Sequence, residues 1–303
     1  MDIIQYTPDI LTPLTQFYNR LTAEVPFCYP VNQKDFALVM QNVDTDKYNR
    51  SEGGLFGEKA FVAISEDNVQ AFIHVGISLK SENEEEDVGF IKFLGYERGY
   101  RNAGQTLLEK AEEYLKSYNV TRIFAFSEND RYRFFHFEHA YLSVSLDHIH
   151  ALLGFNGYHR SDGEVFLDWK DYTVEPNPSG IPVTLSVDWK QGEGQRPNCI
   201  VKAYQDNKEI GECDSVSSGE FSSHPDAQDW LHTVWLGIED DFQGQGLGKF
   251  LLQSTLQEMH KIGYRHAAIS TDWENYRALL FYSNCGYKLV DWTFEYEKVL
   301  SKL

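Results

Sequence analysis

The residues best suited to chemistry lie between Val234 and Tyr287. Three apolar residues on one strand parity, Val234, Leu236 and Ile238, lead into an acidic turn, Glu239-Asp240-Asp241. A glycine-rich run follows, Gln243-Gly244-Gln245-Gly246-Leu247-Gly248, and Lys249, Phe250, Leu251 and Leu252 continue as the start of an apolar helix. Strand, glycine-rich turn and helix in that order make an anion site. The first N–H groups of a helix have no partner within it, and its dipole favours negative charge there. Glycine lets the backbone approach the bound group and take positive φ. A Walker A loop is excluded, because Gly248-Lys249 is followed by Phe250 where Ser or Thr is needed. A dinucleotide fingerprint is excluded too, because the glycines stand at 244, 246 and 248 rather than in G-x-G-x-x-G.

What does fit is Q-x-x-G-x-G, on Gln243, Gly246 and Gly248. A second pattern lies after the next helix and the β-rich run His266 to Ser270. It is an Asn, an Ala three later, a Tyr seven later and Gly-aromatic eleven and twelve later, here Asn275, Ala278, Tyr282, Gly286 and Tyr287. In both patterns the last 120 or so residues resemble the GNAT acyltransferase superfamily. That resemblance implies an α/β (α+β) fold with a mixed, splayed central β-sheet flanked by helices. It implies acetyl-CoA as co-substrate, no metal, and direct attack of an amine on the thioester.

The resemblance also assigns residues. The pyrophosphate is expected on the backbone of Gln243, Gly244, Gln245, Gly246, Gly248 and Lys249, with Asn275 as a further cofactor ligand. The freed strand edge, Leu236 to Ile238, would pair with the pantetheine arm, Gly237 leaving room, and a backbone N–H there would hold the acetyl carbonyl. Tyr282 matches the acid that protonates the leaving thiolate; an ordinary amphipathic-helix tyrosine is the alternative. Some members place a glutamate base eleven residues before the loop glutamine, and His232 stands there in this chain. An imidazole with a pKa near ~6.5 can take an amine proton at neutral pH, but a structural histidine near a strand end reads equally well. Glu239 is the reserve base. Cys285, beside Gly286, reads as a small core residue.

The elements that must position these groups occur twice. Gly89 to Tyr96 reads as a strand, and Glu97 to Thr106 leads into a helix from Leu107 to about Tyr118. An offset of 142 residues, Arg101 onto Gln243, carries Leu94, Gly95, Glu97, Tyr100 and Gly104 onto Leu236, Gly237, Glu239, Phe242 and Gly246. The chain therefore reads as two tandem copies, 1–172 and 183–303, joined by a Pro- and Gly-bearing linker at 173–182. The first copy departs from the pattern. Thr106 replaces Gly248, Leu153 and Leu146 stand at the Tyr282 and Asn275 positions, and Phe90 stands at that of His232. It is expected to have lost catalysis. Before it, a helix through Leu11, Leu14, Phe17, Tyr18 and Leu21 and a hairpin about residues 66–68 are expected. The insertion at 128–147 holds His136, Glu138 and His139, with His148 and His150 beyond. Its H-F-E-H order is not H-E-x-x-H, and the interleaved Phe134, Phe135 and Phe137 favour packing over a metal. The acidic run 81–87 reads as a solvated loop.

Composition bounds the rest. A length of 303 residues with 42% hydrophobic content suits two cores of ordinary size. The four scattered cysteines read as reduced thiols. A net charge of −19 argues against nucleic acid and is consistent with a cationic acceptor. Without a signal peptide or an apolar membrane span, the expected location is the cytoplasm; the final Ser301-Lys302-Leu303 offers a peroxisomal address if the source is eukaryotic. The expected function is an acetyl-CoA-dependent N-acetyltransferase, catalytic in its second copy, acting as monomer or homodimer on a small-molecule or peptide amine. The alternative is a non-catalytic acyl-CoA-binding or interaction protein built on a degenerate pair.

Overall fold

The structure, a computed structural model, describes all residues except 45–54, 67, 79–86, 128–131, 139–140 and 301–303. The tip of the hairpin, nearly all of the acidic loop, His139 and the terminal tripeptide thus lie outside the described residues. No helix among the described residues is long and apolar enough to cross a membrane.

The chain packs as two compact units, Met1–Glu164 with Trp292–Leu303, and Val165–Asp291. These depart from the linear cut expected at 172 and 183. Both borders fall inside strands, and the closing strand from Trp292 onward belongs to the first unit.

The first unit holds β1 (Asp2–Gln5), α1 (Leu11–Leu21), α2 (Gln33–Met40), β2 (Phe56–Ser65), β3 (Asn68–Ser78), β4 (Val88–Tyr96), α3 (Arg101–Lys116), β5 (Arg122–Ala125), β6 (Leu142–Ser143) and α4 (Asp147–Phe155). Strand β7 (His159–Trp169) begins in it, and β13 (Lys288–Val299) ends in it. The sheet order β1-β2-β3-β4-β5-β13 is antiparallel except for the parallel pair β4–β5. Tyr296 to Val299 pair with Arg122 to Ala125, and Lys298 Nζ meets Glu112 Oε1 of α3 at 2.6 Å. Leu14, Phe17 and Tyr18, at helical spacing on α1, are fully buried, as is Phe36 of α2. Each such side chain contributes roughly 1.5–3 kcal/mol by leaving water.

That core also encloses charge. Glu58 Oε2 lies 2.9 Å from both His74 Nε2 and Lys92 Nζ, and His74 Nδ1 lies 2.9 Å from the Tyr132 hydroxyl. Burial alone would raise the Glu58 pKa, but the His74 and Lys92 contacts outweigh it and bring it to about 2. Burial lowers His74 to about 4. Pairing is what makes buried charge tolerable.

The second unit holds β8 (Thr184–Lys190), β9 (Asn198–Gln205), β10 (Lys208–Ser217), β11 (Trp230–Ile238), α5 (Leu247–Lys261), β12 (His266–Asp272) and α6 (Tyr276–Cys285). Its sheet order is β12-β11-β10-β9-β8, with only β11–β12 parallel. Leu247, Leu251, Leu252, Leu256 and Met259 make the buried face of α5, which packs on β9, β10 and β11. The helix ends at Gly263, φ +112°, with His260 and Lys261 in its last turn, where cations suit the dipole.

The duplication is visible in the ladders. Val88 to Ile91 pair with Arg122 to Ala125, and Trp230 to Thr233 pair with His266 to Ile269. Both paired runs on the earlier strand are related by the sequence offset of 142, and in both the pairing stops after four residues while that strand continues. The register on the opposite edge slips past Lys92 in one unit and past Val234 in the other, again the same offset. A bulge at that point bends the strand and increases its twist, so the parallel neighbours part.

Candidate active site

Beyond Thr233, β11 leaves β12 and keeps only β10, with Leu236 opposite Cys213 and Ile238 opposite Gly211. The freed edge opens on a cavity of about 440 Å³. Leu236, Ile238, Gln243, Gly244, Gly246, Gly248, Lys249, Asn275 and Tyr282 all line it. Of the cofactor ligands expected from sequence, only Gln245 does not.

The loop is built for close approach. Gly244 and Gly246 take φ of +75° and +80°, and a Cβ built on either would meet nothing within 4 Å. Positive φ costs an L-residue roughly 1–2 kcal/mol, so glycine is favoured by the backbone conformation rather than by crowding. Gly246 caps α5, and the first helical bond runs from the Phe250 N–H to the Gly246 carbonyl at 3.1 Å. The N–H groups of residues 247–249 therefore precede the helical ladder.

One amide fastens the loop. Gln243 Nε2 donates to the Ile238 carbonyl at 3.0 Å and to Asp240 Oδ1 at 2.9 Å, and its Oε1 accepts from Arg277 Nη2 at 2.9 Å. The strand end, the acidic turn and α6 are thus tied through one side chain. Arg277 also lines the cavity, and sequence reasoning missed it. It gives the lining a second cation, with Lys249, in a chain of charge −19.

Asn275 has a structural duty of its own. It caps α6, its Oδ1 accepting from the Ala278 N–H at 3.0 Å, which leaves its Nδ2 for a ligand. Gly286 ends the same helix at φ +113°. Cap and stop thus bound a helix of 10 residues, and Tyr282 lies on its face towards the cavity. Tyr282 is buried among Phe281 and Tyr287, and burial raises its hydroxyl pKa above the ordinary value. It therefore stays protonated throughout the neutral range.

The other two catalytic candidates are not brought to this cavity. His232 is 1% exposed on β11, its ring 6.3 Å from that of Phe166, and it does not line the cavity. It sits among the four residues that pair with β12, before the strands part, and a side chain there is enclosed by the sheet. Glu239 lines a separate cavity of about 350 Å³ with Glu209, Glu212, Asp240 and Trp235. Its carboxylate stands 3.8 Å from Lys208 Nζ and is well exposed. Gly237 lines that second cavity, not the first, and the space it leaves is taken by the Trp235 indole, 2.8 Å from a built Cβ. Cys285 lines neither cavity, and burial raises its thiol pKa. Among the described residues no group of three His, Cys, Asp or Glu side chains is placed to hold a metal.

The geometry can be set beside known proteins. A family model described as an acetyltransferase (GNAT) domain matches residues 196–289. Among curated protein sequences none matches. Of the solved structures, a tandem GNAT protein from the clavulanic acid biosynthesis pathway is similar over 100% of this chain and 99% of its own, with TM-score 0.67 at 12% identity. A GCN5-related N-acetyltransferase from Sphaerobacter thermophilus is similar over 98% and 95%, with TM-score 0.63 at 12% identity. The glucosamine N-acetyltransferase region of a fungal multi-domain GH3 β-N-acetylglucosaminidase reaches TM-score 0.64 at 14% identity, over 98% of this chain and 38% of that one. At these identities the likeness is one of fold. Residues 196–289 thus match a GNAT acetyltransferase domain, and the fold of the chain is that of a tandem GNAT protein.

Proposed function

We propose that the protein is an N-acetyltransferase that moves the acetyl group of acetyl-CoA to an amine, and that its second unit carries the reaction. The observation that carries this reading is the convergence of one cavity's lining: two open left-handed glycines, a helix N-terminus, Lys249, Arg277 and the Tyr282 hydroxyl. The loop supplies the donors and cations that a diphosphate needs, and the same lining holds a neutral phenol.

In this reading the diphosphate rests on the backbone of Gln243 to Lys249, and the pantetheine arm runs along Leu236 to Ile238. A β11 N–H holds the acetyl oxygen as negative charge develops on it. The amine attacks the thioester carbon, the C–N bond forms and the C–S bond breaks. Tyr282 gives its proton to the departing sulfur. The proton lost by the amine goes to water, because neither the enclosed His232 nor Glu239, which lines the second cavity, lines the one that holds Tyr282. The carboxylates around Glu239 favour a cationic acceptor.

The test is a calorimetric titration of the full chain with acetyl-CoA, followed by CoA release across a panel of primary amines. Binding with turnover supports the enzyme. Binding without turnover on any amine supports an acyl-CoA-binding module instead.

A further inference from the structure

Residues 173–182, the expected linker, contain no helix or strand, yet they are tied down along the second unit. The Tyr172 hydroxyl donates to the Leu256 carbonyl at 3.0 Å, and the Asn177 N–H donates to Gln253 Oε1 at 3.2 Å, both on α5. Gln205 Nε2 donates to the Pro182 carbonyl at 3.3 Å. Between these anchors the segment crosses the phosphate loop. A Cβ built on Gly180 would lie 2.4 Å from the backbone oxygen of Gln245. No real Cβ sits that close, and a backbone oxygen cannot swing aside as a side chain can.

This contact explains why Gln245 does not line the cavity although its neighbours do. In a trans peptide the C=O and the next N–H point in opposite directions. With the Gln245 carbonyl turned to the strap, the Gly246 N–H of the same peptide points away from the strap, and Gly246 does line the cavity. Glycines at 244 and 246 leave this peptide free to flip at little cost. A flip would turn a carbonyl, not an N–H, towards a bound anion.

We propose that Gly180 is a positioning residue: the strap packs on the Gln245 carbonyl, keeps the Gln245–Gly246 peptide in its donor orientation, and thereby sets affinity for the diphosphate of coenzyme A. The inference rests on the acetyl-CoA reading above. Gly180 itself touches no substrate. Its replacement by any other residue acts through the loop.

The experiment compares two acyl donors on the full-length protein, acetyl-CoA and S-acetylpantetheine, which lacks the diphosphate. Gly180→Ala is expected to weaken acetyl-CoA about tenfold or more, the effect of misdirecting one hydrogen bond to a charged group. Its effect on S-acetylpantetheine is expected to stay within about twofold. Ser179→Ala adds no atoms and removes the hydroxyl that accepts from the Ile181 N–H at 3.2 Å. It loosens the same turn and is expected to shift the acetyl-CoA Kd in the same direction by a smaller factor. It decides the matter if Gly180→Ala does not fold. Equal weakening of both donors, or an unchanged acetyl-CoA Kd in the folded variants, overturns the proposal. Failure of the unaltered protein to bind acetyl-CoA would instead overturn the cofactor reading itself.

Discussion

Residues 97–107 of the first unit and 239–249 of the second descend from one pattern and do opposite things. In the second, Gly246 is left-handed, faces open space, and α5 starts only at Leu247. In the first, α3 already starts at Arg101, so Gly104, the counterpart of Gly246, lies inside the helix. There a built Cβ would lie 2.5 Å from the Tyr96 ring. The Tyr96 carbonyl accepts from His148 Nε2 at 2.8 Å, and its hydroxyl donates to the His148 carbonyl at 2.7 Å. The strand end that Gln243 holds open in one unit is therefore closed by a tyrosine and a histidine in the other. Farther back, Phe93 is 1% exposed and stacked on Tyr132 of the insertion, whereas its counterpart Trp235 is 60% exposed. One glycine faces an open cavity and the other serves packing, although the sequence spells them alike.

The sharpest way to break this contrast is Gly246→Asp. It places a Cβ and a carboxylate in the open loop, and acetyl-CoA affinity in calorimetry is expected to fall about a hundredfold or more, since charge repulsion adds to the lost approach. Unchanged affinity in the folded variant would remove the loop from the site.

Next comes Tyr282→Phe in the full chain, which keeps the ring and removes one oxygen. Single-turnover transfer is expected to slow at least roughly tenfold, within the range of about 10²–10⁴ for general acids, with acetyl-CoA binding retained. Burial raises the Tyr282 pKa, so loss of its proton is expected to cut the rate only above the ordinary phenol range, not between pH 7 and about 10. A rate equal to that of the unaltered protein would point to another proton donor. Any turnover that survived as a separate, Tyr282-independent activity would implicate the first unit. A fragment ending at 172 is a poor substitute for this test, because it strips from the first unit the strand that pairs with β5.

A smaller effect is expected for Arg277→Ala, which frees the Gln243 carboxamide and removes one cation. Acetyl-CoA should bind about three- to tenfold more weakly, with the difference shrinking as salt is raised. A salt-independent change would mean that Arg277 acts through the loop alone. The least effect on binding is expected for Gly104→Ala. Overpacking against Tyr96 costs about 1–3 kcal/mol, so the thermal midpoint falls while acetyl-CoA affinity stays within about twofold. A loss of affinity here would show that the first unit also holds the ligand.

Much of the candidate site was legible because its chemistry is local. Glycines at 244 and 246, a helix beginning directly after them, and an Asn seven residues before Tyr282 are features of a short stretch of chain. Those positions line one cavity as expected. Gln245 is absent from that lining, and its carbonyl faces Gly180, about 65 residues earlier in the chain, a contact no local pattern reveals. His232 has a suitable strand position but too early a one, and where two parallel strands part depends on a bulge against a third strand. Arg277 carries no spacing rule of its own and gained its place from Gln243.

The sequence by itself determined the strand–loop–helix order, its repetition at a fixed offset and the residues whose backbone must be glycine. Each follows from steric and hydrogen-bonding limits within a short stretch of chain. The tertiary structure alone decided which strand edge receives the last strand. The alternation of Trp292, Phe294 and Tyr296 predicts a strand and its faces, and Phe294 and Tyr296 are buried in the folded chain. A strand's unpaired N–H and C=O groups, however, are satisfied equally by any free edge of matching length. The edge of β5 in the first unit takes Tyr296 to Val299, a choice settled by the position of that edge in space rather than by anything written in the strand.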